Sequence, residues 1–336
     1  MRIGFNPHKD QLQEQSEYLH QILIPIYIPN LEGYFKDSFR IFKLCLDSLF
    51  STMHDKTFVT IINNGSGVFV KEYLDKLLQK NKIHELIHTH NIGKVNAILK
   101  GLVGNEIELV TISDADVLFL PNWQKETAKI FAYLPRAGVV GLVPQFKTYE
   151  TYCGNVLFDN LFNSNLKFLP VNNKAALLRF YDSIGWTWNY NKDYLKFNLG
   201  LEVNNDLTVL IGSGHFVATY KKDVFEEVKT YFGYKLGGAS EGYLDKAPLK
   251  KGYWRLTTYD NYAYHMGNAY EVWMEGLSFK GSDKEFVYSN FSKNKTPSNF
   301  NYFFKNRIFV KFISVKWLVK LFIKWKKLPE EMIDKY

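Results

Sequence analysis

The sequence predicts an α/β fold in which a mostly parallel sheet is flanked by helices. Over the first ~120 residues, apolar segments rich in β-branched residues alternate with amphipathic segments, and turns rich in Asn and Gly separate them. The chain has 336 residues, of which 46% are hydrophobic and 23% are charged, so it can bury a substantial core. Strands that alternate with helices are joined by right-handed crossovers, and such strands lie parallel in one sheet.

Each element is predicted from its periodicity and its boundaries. Strands are expected where an apolar run stops at a turn signal, and helices where apolar residues recur every three and four positions. In the first half, the expected strands are 22–28, 57–62, 83–89 and 107–116. The expected helices are 35–50, 70–78 and 95–102. The second half is less regular, with strands expected at 139–143 and 207–217 and a helix at 222–231.

The strand expected at 107–116 ends in two carboxylates, Asp114 and Asp116, which form the only Asp-x-Asp in the sequence. In open α/β sheets, ligands bind beyond the carboxyl ends of the strands. Mg²⁺ and Mn²⁺ favour carboxylate and water oxygens and are often shared with substrate phosphates. The motif therefore predicts a divalent metal and a nucleotide diphosphate ligand.

The positive charge of the chain is concentrated near its C-terminus. The formal net charge is +8, and 305–327 contains eight cations and no acid. These cations are Lys305, Arg307, Lys311, Lys316, Lys320, Lys324, Lys326 and Lys327. Because Trp, Phe and Leu residues lie between them, this segment predicts a basic amphipathic helix that binds an anionic membrane surface. The alternative is a helix packed on the body with its lysines in water. No nucleic-acid-binding motif accompanies the basic stripe, so no nucleic acid partner is expected.

The cysteine content and the N-terminal segment indicate a cytoplasmic location, at the inner face of the plasma membrane if the basic helix docks there. The two cysteines, Cys45 and Cys153, are too few for a disulfide framework. Residues 1–21 contain no apolar region typical of a signal peptide. No run of about 18 apolar residues could span a bilayer.

Several motifs occur in a familiar order along the chain: Pro25-x-Tyr27-x-Pro29, Asn63-Asn64-Gly65-Ser66, Asn91-x-Gly93-Lys94 and Ser113-Asp114-Ala115-Asp116. Together they resemble family-2-like glycosyltransferases with the GT-A fold, whose sheet is Rossmann-like. The resemblance covers roughly 22–267. It implies a glycosyltransferase domain at 1–280, with a nucleotide-sugar-binding half at 22–120 and an acceptor half at 121–280. Residues 281–336 would form a linker and the basic amphipathic helical extension.

The same resemblance implies that a sugar is transferred from a nucleotide-sugar donor to a glycan or lipid-linked acceptor, with inversion. The expected donor-binding residues are Pro25, Tyr27, Asn63, Lys94, Asp114, Ala115, Asp116 and Gly214. Mn²⁺ or Mg²⁺ would be held by Asp114, Asp116 and His265. Such enzymes usually carry an aspartate where this chain has Asn63, which leaves the base open: a UDP-sugar is expected first, with GDP- and dTDP-sugars as alternatives.

An acidic segment with Glu241 and Asp245 resembles the one that supplies the catalytic base, although the usual adjacent Glu-Asp pair is replaced by acids four residues apart. A base is needed because a hydroxyl is a poor nucleophile at neutral pH. Either acid could serve, and Glu241 is preferred from its distance to Gly252. A group of aromatic residues is expected to form an acceptor-binding wall or to pack in the core: Trp186, Trp188, Tyr190, Tyr194 and Phe197.

Three alternatives stay open at this point. A retaining transferase of the same fold would need no base opposite the leaving group. A catalytically inactive protein that binds sugar nucleotides or glycans would account for Asn63 and the altered acidic segment. A nucleotidyltransferase is disfavoured, because no Gly-rich phosphate loop follows the first strand.

Overall fold

The computed structural model describes residues 4–6, 8–12, 16–186, 190–226, 231–237, 240–276 and 291–336. Its centre is a ten-stranded sheet, and a two-stranded sheet lies beside it. The strands are β1 (His20–Ile26), β2 (Thr57–Asn64), β3 (Glu85–Thr89), β4 (Leu109–Ser113), β5 (Val117–Phe119), β6 (Ala137–Gly141), β7 (Leu166–Pro170), β8 (Phe197–Asn204), β9 (Leu207–Ile211), β10 (Val217–Lys221), β11 (Trp254–Thr258) and β12 (Ala263–His265).

Helices cover both faces of the large sheet, so the predicted α/β fold class is confirmed. The helices are α1 (Ser38–Thr52), α2 (Val68–Gln79), α3 (Lys94–Leu102), α4 (Trp123–Tyr133), α5 (Gly154–Asp159), α6 (Lys174–Ser183), α7 (Gly242–Lys250), α8 (Asn299–Phe303), α9 (Phe309–Ile313) and α10 (Lys316–Trp325). The first three strands and helices lie close to their predicted bounds, because their apolar periodicity is regular.

The strand order creates a crevice in the sheet at one point. The order is β3-β2-β1-β4-β10-β6-β11-β9-β8-β7. The chain builds outward from β1 to β3 and then returns to place β4 on the other side of β1, with all four strands parallel. The pairings give seven of the ten strands one direction, and β7, β9 and β10 run against them. The carboxyl ends of β1 and β4 therefore flank a topological switch point, where ligands bind in open α/β sheets.

Side chains that alternate along the strands fill the two faces of the sheet. On one face, Ile22 and Ile24 pack with α1 and α2. On the other face, Leu23 and Ile112 pack with α3 and α7. All four side chains are buried. Burial of each such side chain is worth about 1.5–3 kcal/mol, so the central strands form a rigid base for whatever their ends carry.

Two predicted elements of the second half differ in the structure. The expected strand at 207–217 is two strands, β9 and β10, because Gly212 adopts φ +94 and ends β9 there. The expected helix at 222–231 begins as a 3₁₀ turn at Lys222–Phe225. The residues at 227–230 lie outside the described part of the chain. Val224 and Phe225 are consecutive and both buried, a pattern that suits a short turn more than an amphipathic helix.

The C-terminal segment packs on the far end of the sheet instead of standing apart. Phe309, Phe322 and Ile323 are buried in the same apolar cluster as residues of β7, β8 and β9. The basic segment is two helical pieces: α8 to α9 with a π-helical turn at Phe304–Ile308, and then α10. Within the described ranges, no helix combines the length and the apolar character needed to span a bilayer. The predicted boundary at 280–281 lies outside the described residues.

Candidate active site

A cleft of about 440 Å³ opens at the switch point between β1 and β4. Six of the eight residues predicted to bind a donor line it: Pro25, Tyr27, Lys94, Asp114, Ala115 and Asp116. They come from the end of β1, the first turn of α3 and the turn that joins β4 to β5. Sequence motifs that lie up to ninety residues apart are therefore brought to one edge of the sheet, as expected for parallel strand ends.

Asn63 and Gly214, the other two predicted donor residues, do not line this cleft. Asn63 is buried, its Oδ1 accepts the Ser66 N–H at 2.9 Å, and its Nδ2 lies 3.0 Å from His88 Nδ1. Both groups of its carboxamide therefore already have partners within the protein. The next residue, Asn64, faces the cleft, because successive side chains of a strand point to opposite sides. Gly214 lines a second cavity instead.

Asp116 and His265 form the part of the site best suited to a cation. Strands β5 and β12 pair antiparallel with His265 opposite Val117, which brings the imidazole beside Asp116. His265 Nε2 lies 3.4 Å from Asp116 Oδ2. Asp116 Oδ1 is buried and has no hydrogen-bond partner among the described residues. Burial raises the pKa of Asp116. A buried carboxylate oxygen without a donor is costly, and a divalent cation would satisfy it.

The protein would supply few of the ligands of such an ion. Among the described residues, no group of three or more His, Cys, Asp or Glu side chains is arranged to hold a metal ion. The carboxylate of Asp114 is instead paired with the ammonium group of Lys94. Mg²⁺ and Mn²⁺ sites that serve nucleotides often have only one or two protein ligands and complete the shell with water and phosphate oxygens. Asp116 and His265 fit that pattern.

Lys94 joins two carboxylates at the wall of the cleft. Its Nζ lies 2.7 Å from Asp114 Oδ1 and 2.8 Å from Glu241 Oε1. Burial alone would lower the pKa of Lys94, but the two carboxylates raise it above its ordinary value. Lys94 is therefore a permanent cation at the edge of the cleft. Gly93, which precedes it with φ +92, lets the backbone turn into α3 at this point.

A second cavity of about 360 Å³ adjoins the first. It is lined by Ser213, Gly214, His215, Asp245, Arg255 and His265, among others. His265 lines this cavity whereas its neighbour Asp116 lines the first, so the pair stands where the two cavities meet. Of the two predicted acids, Asp245 lines the second cavity. Glu241 lies between the two cavities, and its side chain lines neither of them.

His215 connects the two acids. Its Nε2 lies 3.4 Å from Glu241 Oε2, and its Nδ1 lies 3.4 Å from Asp245 Oδ2. Contacts with Asp245 and Glu241 raise the pKa of His215 to about 9. The contact with His215, together with the charge of Lys94, lowers the pKa of Glu241 to about 2. Glu241 is thus a weak proton acceptor in this arrangement.

Arg255 holds the other oxygen of Asp245. It lies on β11, its side chain is 4% exposed, and its Nη2 lies 2.6 Å from Asp245 Oδ1. The same guanidinium donates to the carbonyl oxygens of Thr151, at 2.8 Å, and Ser213. The complete chain of alternating charges is Asp114, Lys94, Glu241, His215, Asp245 and Arg255. It runs from the first cavity to the second.

The segment 231–237, which we call the strap, crosses α3 beside the first cleft. Both groups of the Asn96 carboxamide bond the Phe232 backbone, at 2.7 and 2.8 Å. The Lys94 N–H donates to the Lys235 carbonyl at 2.9 Å. A Cβ at Gly93 would lie 2.7 Å from the Tyr234 carbonyl oxygen, so only glycine permits this approach. The strap brings Lys235 to the rim of the cleft.

The predicted aromatic wall is divided between core and surface. Tyr190 and Tyr194 pack on Phe146, with ring centroids 5.1 and 5.2 Å apart, so they contribute to packing. Trp186 is exposed and stacks on Tyr181. Trp188 lies outside the described residues. Among the described members of this group, Trp186 is the exposed one, and Tyr190, Tyr194 and Phe197 are half-buried.

Sequence reasoning missed several residues of the site. His215 directly follows Gly214, so its place could have been read from the Gly-Ser-Gly-His segment. An arginine inside the apolar β11 segment predicts a buried partner, but not which acid that partner is. Tyr34 and Phe35 line the cleft beside Tyr27 and lie in a short 3₁₀ turn that no periodicity marks. Lys235 carries no sequence signal that we can identify.

A family profile matches part of the chain. The sequence profile of glycosyl transferase family 2 matches residues 39–196. This match confirms the resemblance to family-2-like glycosyltransferases that was inferred from the motifs. No curated protein matches the chain significantly.

Solved structures with a similar arrangement include two forms of a fragment of TarS from S. aureus. TarS 1–349 is 15% identical, with 74% of this chain and 60% of that chain covered and a TM-score of 0.42. Its complex with UDP-GlcNAc is 15% identical, with 75% and 62% covered and a TM-score of 0.44. The mannosyltransferase PcManGT from Pyrobaculum calidifontis, in complex with GDP-Man and Mn²⁺, is 16% identical, with 75% and 57% covered and a TM-score of 0.40. The chain spans about three fifths of the length of these proteins.

Proposed function

We propose that the protein transfers a sugar from a nucleotide diphosphate donor to a hydroxyl of a glycan or lipid-linked acceptor, with the help of Mn²⁺ or Mg²⁺. The observation that carries this proposal is the junction of the two cavities at Asp116 and His265. The cleft on one side has the cations and aromatic faces that suit a nucleotide diphosphate. The cavity on the other side has a carboxylate that can face an acceptor.

The donor would lie with its base against the aromatic side chains of the cleft. Tyr27 and Tyr34 are exposed, and the Phe35 ring meets both edge-on, at 5.8 and 5.2 Å. Such flat faces suit stacking of a base. Asn64 and Asn91 offer amide groups at the same wall, so we place base recognition there and not at Asn63. An amide both donates and accepts, which leaves UDP-, GDP- and dTDP-sugars open, with UDP first.

Departure of the nucleoside diphosphate is the step in which negative charge grows. Lys94 lies at the wall of the cleft and can approach the diphosphate as a point charge. Asp116 and His265 would hold the divalent cation, and Asp114 would contact the ribose or reach the ion through water. When bound, the cation would supply Lewis-acid neutralisation of the leaving group. The permanent positive charge of Lys94 would also stabilise the negative charge of the leaving group.

Deprotonation of the acceptor needs a carboxylate that faces it. Asp245 lines the second cavity, whereas Glu241 is held between Lys94 and His215 with its pKa lowered to about 2. A general base must come within hydrogen-bond reach of the proton that it removes. We therefore propose Asp245 as the base, and Glu241 as the residue that orders Lys94 and His215. A base opposite the leaving group implies inversion of the anomeric configuration.

The test combines ligand binding with turnover. A thermal-shift screen of UDP-, GDP- and dTDP-sugars, with and without MnCl₂, should show one metal-dependent stabilisation, since a ligand at 100 times its Kd adds about 2.7 kcal/mol. Donor hydrolysis should then fall at least about 100-fold in Asp116→Asn, because charge stabilisation at the leaving group is lost. Asp206→Asn, on an exposed turn, is the matched control. Equal turnover in Asp116→Asn and Asp206→Asn would contradict the proposal.

Two measurements separate the alternatives. Proton NMR of the product distinguishes an inverting from a retaining transferase through the anomeric coupling. A retaining product would remove the need for Asp245 as a base. Binding of a nucleotide sugar without any hydrolysis or transfer, over a panel of glycan acceptors, would support the catalytically inactive alternative.

We further propose that the C-terminal helices bind an anionic membrane surface. On α10, Phe322 and Ile323 face the body, while Trp317, Leu321 and Trp325 are 60%, 55% and 50% exposed. These three lie four residues apart and form one row along the helix. The neighbouring row consists of Lys316, Lys320 and Lys324. Exposed aromatic side chains beside a row of lysines suit the headgroup region of an anionic bilayer.

Liposome flotation tests this surface. Truncation is unsuitable because the segment completes an apolar cluster, so we choose Trp317→Ser with Leu321→Ser. This variant should lose binding to vesicles that contain phosphatidylglycerol. Val68→Ser with Val103→Ser, at exposed sites outside the helix, should bind as wild type does. Unchanged flotation of the helix variant would show that α10 serves packing alone.

A further inference from the structure

Ser183, the last residue of α6, contacts the imidazole of His265. Its Oγ lies 2.6 Å from the Phe180 carbonyl oxygen and 2.9 Å from His265 Nδ1. These two contacts compete for the single proton of the hydroxyl. A carbonyl oxygen only accepts hydrogen bonds, so the hydroxyl must donate to Phe180. The hydroxyl oxygen is then left as the acceptor of a hydrogen bond from Nδ1–H.

This assignment determines the state of the other ring nitrogen. A neutral imidazole carries one proton, so a proton on Nδ1 leaves Nε2 with a free lone pair. Nε2 faces Asp116 Oδ2 at 3.4 Å. A direct hydrogen bond from an N–H to a carboxylate is usually about 2.7–2.9 Å long, and the observed separation is longer. With no proton on Nε2, this nitrogen and Oδ2 face each other as two electron-rich atoms that can share a cation.

The surrounding packing holds the ring in this orientation. Phe180 and Phe216 meet the imidazole edge-on, with ring centroids 6.2 and 5.2 Å away. The two phenyl rings contact the imidazole through apolar atoms, so its polar contacts are made by the two ring nitrogens. A Cβ at Gly267, two residues after His265, would lie 3.1 Å from the Ser183 carbonyl oxygen, so α6 and the end of β12 are in close contact.

We propose that Ser183 is a positioning residue that fixes the Nδ1–H tautomer of His265 and so directs the Nε2 lone pair toward the divalent cation beside Asp116. This inference rests on the metal site of the proposed function. Outer partners of this kind orient metal-binding histidines in many proteins, and their loss commonly weakens metal affinity 10–100-fold, as a typical range. Ser183 does not touch the donor or the acceptor in this arrangement.

The tautomer can be measured directly by ¹⁵N NMR of the imidazoles in metal-free protein, with the His265 signals assigned by comparison with His265→Gln. The pH is raised until the neutral form of the ring is reached. Wild type and Ser183→Thr, which keeps the hydroxyl, should show the proton on Nδ1. Ser183→Ala should shift the population toward Nε2–H. Ser314→Ala removes a similar hydroxyl contact to a helix carbonyl, at 2.9 Å, and should leave His265 unchanged. An unchanged Nδ1–H tautomer in Ser183→Ala overturns the inference.

Mn²⁺ binding, followed by electron paramagnetic resonance, separates this inference from the proposed function. Ser183→Ala should weaken Mn²⁺ affinity by about 10–100-fold, and Ser183→Thr should restore it. Asp116→Asn should weaken it further. If Asp116→Asn leaves Mn²⁺ affinity unchanged, both the metal site and the role of Ser183 fail. If Asp116→Asn weakens binding and Ser183→Ala does not, only the role of Ser183 fails.

Discussion

Replacement of Arg255 tests whether the second cavity is held together by buried charge. The Arg255 side chain is 4% exposed and that of Asp245 is 13% exposed. Breaking a buried ion pair by removing one partner costs about 3–5 kcal/mol, because an uncompensated charge stays in the interior. His215 remains near Asp245 at 3.4 Å and offsets part of that cost. We therefore expect Arg255→Met to lower the free energy of unfolding by about 3 kcal/mol.

The double variant Arg255→Met with Asp245→Asn isolates the pairing energy. Because the double variant removes both charges, its loss of unfolding free energy should be smaller than the sum of the losses in the two single variants by about 2 kcal/mol. Urea unfolding followed by tryptophan fluorescence gives these values, provided that the m-values agree between variants. Arg255→Lys keeps the charge but loses the planar guanidinium that reaches three partners. Its free energy of unfolding should therefore lie between those of wild type and Arg255→Met. A loss below about 1 kcal/mol in Arg255→Met, or losses that add within about 0.5 kcal/mol, would refute this account.

Three further predictions concern the first cleft and the histidine between the acids. Gly93→Ala should displace the strap and weaken binding of a nucleotide diphosphate, measured by calorimetry, whereas Gly104→Ala, with a similar φ of +91 and open space around it, should not. Lys94→Met should weaken the same binding about 10–100-fold, since a hydrogen bond to a charged group is worth about 1.5–3 kcal/mol, and unchanged affinity would exclude contact with the diphosphate. His215 has its pKa raised to about 9, so its stabilising contribution is complete below its unfolded pKa of about 6.5 and is lost as the pH rises through 9. The free energy of unfolding should therefore fall across that interval in wild type and fall less in His215→Gln.

The first half of the fold could be predicted because its signals are local. Strands β1, β2 and β4 are apolar runs that end at turn residues, and their helices repeat apolar residues at helical spacing. Parallel strands place their carboxyl ends at one edge, so Asp114, Asp116 and Lys94 could be expected near one another. The choice between Asn63 and Asn64 could not be made, because a one-residue change of register reverses which side chain faces the ligand.

The second half depends on contacts between distant segments, which no periodicity encodes. Glu241 meets Lys94 across 147 positions of sequence. Arg255 reaches Asp245 because β11 lies under the helix that carries Asp245. The apolar residues at 207–217 predict one strand, but Gly212 and Gly214 interrupt the run. The φ of +94 at Gly212 shows that the turn residues dominate there.

The two acids that the sequence offers as the base, with Glu241 preferred, are distinguished by their neighbours in the structure. Glu241 and Asp245 are four residues apart at the start of α7, so they lie on one side of a single helical turn. Glu241 is paired with Lys94, the cation of the first cleft, whereas Asp245 faces the second cavity and is held by Arg255. His215 bridges them, so a change of partners at one acid is felt by the other. If a diphosphate draws Lys94 away from Glu241, His215 remains as the cation of that acid, and its hold on Asp245 must weaken. The spacing of four residues, which departs from the usual adjacent pair, thus places one acid against Lys94 and the other in the second cavity.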